Sequence, residues 1–245
     1  MAQSEEAGAP SNADIIRQQD EIQAEIASES AIVAPLAPIG ALTKQEVREH
    51  ALKKLEELES AYEGVYCIRG DGNCFFRSFL VGMFIRFVED PKLSDRLNSV
   101  SKFITESKEL LMQVGMPEFA IEDFWEEFQN QLSNLKSDSL TADDIVDIFN
   151  QQSVSDYLVM YARFLTSWYL QVNSEQYLPY LQDCATMQQF VRSEVEPMGK
   201  EADHIHSIAL TRCLDIPIRI EYLDNSPDQG ITIFFRENRD KNLAE

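Results

Sequence analysis

Residues 69–78, R-G-D-G-N-C-F-F-R-S, place one cysteine between a glycine-containing turn and an apolar segment. The preceding residues 65–68 are β-prone, and Phe75–Phe87 has the composition of a buried helix. Backbone N–H groups at the start of a helix have no partners within that helix, and they stabilise a thiolate or an oxyanion. The pattern therefore predicts a strand, a turn and a helix, with Cys74 as the nucleophile at the junction.

The neighbours of Cys74 suit this role. Gly70 and Gly72 leave room for the close approach of a substrate backbone, and Asp71 and Asn73 are turn and cap residue types. The same residues are equally consistent with a turn followed by a structural cysteine, because free cysteine is among the most buried residue types. This stretch alone therefore leaves two interpretations open, a nucleophile and a packing residue.

Hydrophobic spacing elsewhere in the chain predicts a fold in which helices dominate. Ile15, Ile22 and Ile26 recur at helical spacing in a Gln- and Glu-rich N-terminal arm. The other elements expected from spacing are helices over 47–62, 155–172 and 201–213, and strands over 216–222 and 231–235. We expect an α+β domain with a small central β-sheet against the helix that carries Cys74.

The charge and composition narrow the class of function. The chain carries 42 acidic and 21 basic side chains, a formal net charge of −21, which repels nucleic acid and anionic lipid and favours a basic protein partner. It contains no apolar run of the roughly 18 residues needed to span a bilayer, and no signal-peptide pattern. The 4 cysteines and 3 histidines lack metal-ligand spacing, so we expect neither a metal nor a cofactor. We expect a cytoplasmic protein, and nuclear entry stays open.

Residues 69–78 resemble the catalytic-cysteine motif of the otubains, a branch of the ovarian-tumour class of deubiquitinating thiol proteases. Further segments resemble otubain segments in the same order along the chain. These segments are I-E-D-F at 121–124, Q-S-V-S-D-Y-L-V at 152–159, V-E-P-M at 195–198 and E-A-D-H-I-H-S-I-A-L at 201–210. The resemblance runs from about Asp14 to Asp224, which is most of the chain.

The resemblance implies the papain-like fold of ovarian-tumour cysteine proteases and a division of the chain into three parts. These parts are a mobile N-terminal arm at 1–40, a catalytic domain at 41–235 and a divergent polar tail at 236–245. In the family, the helix of the arm contacts ubiquitin, which gives that role here to the isoleucines at 15, 22 and 26.

The activity implied is that of a thiol isopeptidase, which hydrolyses the bond between the C-terminal glycine of ubiquitin and a lysine amine. The chain type implied is the one that directs proteins to the proteasome. The partners implied are ubiquitin, polyubiquitin and ubiquitin-conjugating enzymes. Cys74 and Asp71 match catalytic-site positions of the family, and Gly72 and Asn73 match its oxyanion loop.

One part of the family pattern is missing. The catalytic histidine of otubains lies in a C-terminal strand that reads roughly L-L-Y-R-P-G-H-Y-D-I-L-Y, and aligning Ile231–Arg236 with its start puts Arg239 at the histidine position and Lys241 at the aspartate position. Arginine has no acceptor nitrogen and stays protonated, so it cannot serve as the base. His204 and His206 are the remaining candidates for a substitute base, and their spacing points them to different faces of a helix.

Three explanations of this sequence stay open. The first is an active deubiquitinase, and the second is a catalytically impaired chain that binds ubiquitin and a ubiquitin-conjugating enzyme without cleavage. The third is that the tail arises from an alternative transcript or a frameshift of an active enzyme.

Overall fold

The computed structural model describes residues 30–44, 49–137, 139–181, 186–221, 223 and 233–234. The predicted arm helix with Ile15, Ile22 and Ile26, and the tail at 236–245, lie outside these residues. In the described part helices dominate, as hydrophobic spacing predicts. None of these helices combines the length and the apolar character that crossing a bilayer requires.

The helices account for most of the elements in the described residues. In chain order they are α1 (Glu49–Ala61), α2 (Cys74–Glu89), α3 (Ser94–Gln113), α4 (Glu118–Ser137), α5 (Ala142–Asn150), α6 (Gln152–Val172), α7 (Ser174–Tyr177), α8 (Met187–Phe190) and α9 (His204–Leu214). A π-helical turn, Val191–Val195, continues α8. The helix expected over 155–172 corresponds to α6, and the helix expected over 201–213 begins later, at His204, because Asp203 caps it.

Helix α2 lies at the centre of the core. Its sequence is apolar on nearly every face, and such a helix is stable only when it is surrounded by protein. Phe84 is fully buried, and its ring meets Phe128 of α4 and Phe149 of α5 edge-on, with centroids 6.1 and 5.5 Å apart. This packing fixes the axis of α2 and so the direction in which its N-terminus points.

The described strands form a much smaller sheet than the sequence predicts. Strand β1 (Arg219–Ile220) pairs antiparallel with β2 (Ile233–Phe234), in the register Arg219 with Phe234 and Ile220 with Ile233. The β-prone segment 65–68 is not a strand of this sheet, because Val65 and Ile68 form isolated bridges with Ala37 and Val33 instead. A central sheet against α2 is therefore not present in the described part of the chain.

The segment that makes these bridges, residues 30–37, is called the strap here. Ile32 and Val33 are buried in the core, although the sequence analysis assigns them to the arm. The strap also binds the end of α5, since the Val33 N–H donates to Asn150 Oδ1 at 3.0 Å and Asn150 Nδ2 donates to Val33 O at 2.9 Å. The guanidinium of Arg69 donates to Ser30 O, with its Nη2 at 2.6 Å. The strap therefore holds the segment that leads directly to Asp71 and Cys74.

Candidate active site

Cys74 is the first residue of α2 and lies directly after the turn of residues 70–73, called the nucleophile turn here. Asn73 occupies the N-cap position of α2, and its side chain makes no hydrogen bond to the first turn of that helix. Cys74 as a residue is partly exposed. The predicted turn and helix are therefore present, whereas residues 65–68 form isolated bridges in place of the predicted strand.

Asp71 holds the nucleophile turn in shape through both of its carboxylate oxygens. Oδ1 accepts a hydrogen bond from the Asn73 N–H at 3.0 Å, and Arg77 Nη1 donates to Oδ1 at 2.9 Å and to Oδ2 at 2.8 Å. Arg77 is fully buried, and its Nε donates to Ser155 Oγ of α6 at 2.9 Å. Its Nη2 lies 3.5 Å from Asp156 Oδ1. The turn is thus tied to the first turn of α2 and to the start of α6.

Two glycines bring the nucleophile turn into contact with the segment 195–200, called the facing loop here. Gly72 and Gly199 have φ angles of +76° and +78°, values that favour glycine. A Cβ at Gly72 would lie 1.9 Å from Gly199 O, so no other residue fits at this position without moving the loop. Asn73 Oδ1 accepts a hydrogen bond from the Gly199 N–H at 2.9 Å. The close approach predicted for Gly72 is therefore an approach to the protein's own backbone.

Arg163 of α6 joins the same two segments. Its Nη2 lies 3.0 Å from Gly72 O and 2.8 Å from Asn73 Oδ1 in the nucleophile turn, and 2.7 Å from Lys200 O in the facing loop. Its Nη1 donates to Val195 O at 3.0 Å. The two terminal nitrogens of one side chain therefore bind both segments.

The environment of Arg163 is unusual for a cation. The side chain is fully buried, and its guanidinium carbon lies 4.4 Å from the centre of the Phe76 ring. Burial lowers the pKa of Arg163 to about 10, the nearby Asp71 carboxylate opposes this shift, and the charge of Arg77 adds to it. The side chain still carries its charge at neutral pH. Sequence reasoning missed this residue, although it is the one charged side chain in the apolar stretch 157–172.

The family follows from comparison with known proteins. The model of the otubain family, Peptidase C65, matches residues 24–244. This chain belongs to the otubain family. The match continues past Asp224, where the resemblance noted in the sequence ends, so the polar tail lies within the span of the family model.

Curated relatives and solved structures agree with the family model. Human ubiquitin thioesterase OTUB1 is 38% identical over 212 residues, which cover 86% of this chain and 77% of the relative. Deubiquitinating enzyme 1 of Arabidopsis thaliana, an ovarian-tumour-domain protein, is 33% identical over 231 residues, 91% of this chain and 75% of the relative. A solved complex of h/ceOTUB1 with ubiquitin aldehyde and UBC13~Ub has a TM-score of 0.85 at 32% identity, covering 94% of this chain and 91% of that chain. The corresponding complex with UBCH5B~Ub has a TM-score of 0.82 at 33% identity, covering 91% and 88%.

His206, one of two candidate substitute bases in this otubain, is built into the fold. It is 3% exposed, its Nδ1 accepts a hydrogen bond from the Asp203 N–H at 2.9 Å, and its Nε2 lies 3.3 Å from Glu194 O. Burial lowers the pKa of His206, which keeps the ring neutral at physiological pH. In the neutral ring, Nδ1 accepts the first of these hydrogen bonds and Nε2 donates the second. Both ring nitrogens are therefore occupied by contacts within the fold.

His204, the other candidate, lies at the start of α9 and is exposed. It lines a cleft of about 950 Å³ with Tyr177, Tyr180, Phe190 and His206, among others. Cys74 and Asp71 are not among the described residues that line this cleft. The structure therefore places Asp71, Gly72, Asn73 and Cys74 together in one turn, and it places His204 at the start of α9, in the lining of this cleft.

Proposed function

We propose that this otubain is a deubiquitinase, a thiol isopeptidase that hydrolyses the bond between the C-terminal glycine of ubiquitin and a lysine amine. The chain type proposed is the one that directs proteins to the proteasome. The observation that carries the proposal is Cys74 at the start of α2, beside a turn that is held in one shape by Asp71 and Asn73. The names of the relatives, ubiquitin thioesterases, support the same activity.

The proposed reaction has two covalent steps. The Cys74 thiolate attacks the carbonyl carbon of the ubiquitin glycine, and the bond to the lysine nitrogen breaks as that nitrogen takes up a proton. The resulting thioester is then hydrolysed by water, which returns the thiol and releases the ubiquitin carboxylate. Each step passes through a tetrahedral intermediate with a negative oxygen that needs nearby N–H donors.

The hydrogen bonds of the nucleophile turn indicate which donors serve this oxygen. The Asn73 N–H already donates to Asp71 Oδ1. The N–H of Cys74 belongs to the first residue of α2 and has no acceptor within that helix. We therefore assign the Cys74 N–H to the oxyanion site, with Gly72 beside it as in the oxyanion loop that the resemblance implies, and Asp71 to holding the turn that presents them.

A second function, binding without efficient cleavage, is favoured by the histidines. No histidine follows His206 in the 245-residue sequence, and both ring nitrogens of His206 are engaged in the fold. A cysteine protease that lacks its base typically loses about 10⁴-fold or more in rate. In this version the chain binds ubiquitin and a ubiquitin-conjugating enzyme, as in the solved complexes of its relatives with ubiquitin aldehyde and UBC13~Ub.

The remaining assignments belong to the same proposal. The arm at 1–40, with Ile15, Ile22 and Ile26, contacts ubiquitin, and the catalytic domain covers 41–235. The burial of Ile32 and Val33 supports packing of the end of the arm against this domain. The small sheet of β1 and β2 extends into a central sheet, and the protein acts in the cytoplasm and also enters the nucleus. The tail at 236–245 supplies no histidine to this domain.

Cleavage of purified di-ubiquitin tests the choice between the two functions. The chain as written is compared with Cys74→Ala, together with a circular dichroism spectrum that establishes folding. Cleavage that disappears in Cys74→Ala supports the deubiquitinase. No cleavage from a folded chain that still binds ubiquitin supports the binding protein, and a folded chain that does neither contradicts both.

A further inference from the structure

We propose that Arg163 is a positioning residue for Cys74, because it clamps the nucleophile turn to the facing loop. The inference rests on the proposed function, in which Cys74 attacks and N–H groups of the nucleophile turn bind the oxyanion. Arg163 touches neither the substrate nor the sulfur in this account. It acts through the backbone of the turn that presents them.

The geometry of the guanidinium supports the clamp. Nη2 lies within 3.0 Å of acceptors in both segments, Gly72 O and Asn73 Oδ1 on one side and Lys200 O on the other. Because the guanidinium is planar and its donors have fixed directions, these acceptors can converge on it only when the two segments keep their present separation. A shift of either segment lengthens several hydrogen bonds at once.

The position of Arg163 on α6 gives the clamp a rigid base. The residue lies in the middle of a 21-residue helix, and its neighbours Tyr161, Ala162 and Leu165 are fully buried. A side chain anchored in this way can fix the loops in relation to the core. The two segments meet directly through the backbones of Gly72 and Gly199 and through one hydrogen bond, from the Gly199 N–H to Asn73 Oδ1.

The side chain is a poor choice for stability alone. Its Nε is buried and has no hydrogen-bond acceptor among the described residues, and a buried charged donor without an acceptor lowers stability. An arginine at this place is better explained by the number of acceptors it gathers. Lysine carries the same charge on a single, compact nitrogen without the planar fork, so it cannot fill the Nη2 position and also replace the bond from Nη1 to Val195 O.

The first test compares Arg163→Lys and Arg163→Met with the unaltered chain by hydrogen–deuterium exchange. We expect exchange to become at least about tenfold faster in peptides covering 70–75 and 195–200, with little change elsewhere, because local opening is controlled by local contacts. Tyr161→Phe is the matched control, since it removes a buried hydrogen bond to Ser107 from the same helix and leaves both segments untouched. Exchange that rises throughout α6 to the same extent in Arg163→Lys, Arg163→Met and Tyr161→Phe would indicate a general loss of stability and would overturn the clamp.

The second test measures the rate at which Cys74 reacts with a ubiquitin that carries a C-terminal electrophile, beside its rate with iodoacetamide. The ubiquitin reagent needs the oxyanion site, and iodoacetamide does not. We expect Arg163→Lys to lower the first rate by about 10²-fold and the second by less than about threefold, because oxyanion donors typically contribute this much. Equal losses in both rates would overturn the positioning role, as would equal losses in Arg163→Lys and Tyr161→Phe.

Asn73 offers a second route if the Arg163 variants do not fold. Asn73→Ala removes the side-chain acceptor shared by Arg163 and Gly199 and leaves Arg163 its backbone acceptors. Asn73→Asp keeps an acceptor oxygen at that place, as part of a carboxylate instead of an amide. We expect faster exchange in both segments for Asn73→Ala only, and unchanged exchange in Asn73→Ala would overturn the clamp.

The outcomes separate this inference from the proposed function. An unaltered chain that forms no ubiquitin adduct, with exchange that follows the prediction, defeats the function and leaves the clamp. If the unaltered chain forms the ubiquitin adduct but Arg163→Lys shows the same hydrogen–deuterium exchange as the unaltered chain, the clamp is contradicted and the proposed function stands.

Discussion

Asp71 shows how much of the site depends on single side chains. Its carboxylate is partly buried, and both of its oxygens accept from Arg77, which is itself fully buried. Removing one partner of a buried ion pair leaves the other charge without compensation, which is more costly than losing the pair as a whole. The shape of the nucleophile turn therefore depends on a residue that never faces the substrate.

Arg77→Gln is expected to lower the free energy of unfolding by about 3–5 kcal/mol, because it leaves Asp71 and Asp156 beside an uncharged group. Urea denaturation measures the change. Arg86→Gln is the control, since Arg86 pairs with Asp90 on the exposed side of α2 and such pairs contribute about 0–1 kcal/mol. A loss below about 1 kcal/mol in Arg77→Gln would show that the buried pair does not hold the turn.

Alanine substitutions at two glycines, Gly72 and Gly82, are expected to have opposite effects on the protein. Gly72→Ala places a Cβ against Gly199 O, so we expect it to displace the turn and to slow the reaction of Cys74 with a ubiquitin electrophile at least about tenfold. Gly82→Ala meets no atom within 4 Å inside α2 and should raise the free energy of unfolding by about 0.5–1 kcal/mol. The rate of reaction with the ubiquitin electrophile and a urea denaturation curve are measured for each variant. A Gly72→Ala variant that reacts as fast as the unaltered chain contradicts the prediction for the turn.

At the level of elements, helix starts and the strap determine what is presented at the surface. Helix α9 begins with a capping box in which the His206 ring, three residues after the Asp203 cap, accepts from the cap's own N–H. The strap supplies a comparable anchor for the segment before Cys74, through Asn150. Both devices are local, and both can be tested without touching Cys74.

The cap of α9 predicts a pH dependence of stability. Burial lowers the pKa of His206 below its usual 6.5, so the unfolded chain binds this proton more readily than the folded one. The contribution of His206 is therefore fully present above about pH 6.5 and declines as the pH falls through and below that value. His206→Gln keeps an acceptor for the cap and removes the titration. We expect denaturation curves at pH 7.5 and 5.5 to differ less for this variant than for the unaltered chain, and equal differences would refute the assignment.

The strap predicts a local opening. Asn150→Ala removes both hydrogen bonds to Val33, leaving its N–H and C=O without those partners, and is expected to cost about 1–3 kcal/mol. The strap keeps its other hydrogen bonds, from Arg69 to Ser30 O and from the Ala34 N–H to Cys67 O. Because its bonds to α5 are lost, we expect proteolysis near Ser30 to become faster. Gln131→Ala, which removes a contact within α4, serves as the comparison. Equal cleavage rates in both variants would show that Asn150 does not secure the strap.

For the molecule as a whole, the sequence predicts the main helices and the turn before Cys74 well. The periodic apolar residues of α6 and the glycine turn before Cys74 are local signals, and the structure has both in the expected positions. In the described residues the expected sheet is represented by the pair β1 and β2, and residues 65–68 pair with the strap instead, a contact that alternating residues cannot reveal. Arg163 was missed for a related reason, since its partners lie 32 to 91 residues away along the chain.

The arm and the nucleophile should separate binding from catalysis. Removing residues 1–29, which end just before the strap, is expected to weaken ubiquitin binding, and Cys74→Ala is expected to abolish cleavage and leave binding intact. Isothermal titration calorimetry with ubiquitin and a di-ubiquitin cleavage assay measure the two properties. Equal losses of both properties in both variants would remove the distinction between a deubiquitinase and a binding protein.

The central claim is that Cys74 is a nucleophile directed at the C-terminus of ubiquitin. The most direct measurement is the intact mass of the folded chain after incubation with a ubiquitin that carries a C-terminal electrophile. We predict one added ubiquitin, attached at Cys74 and absent from Cys74→Ala. A folded chain that gains no ubiquitin, or a Cys74→Ala variant that still gains one, would contradict the claim.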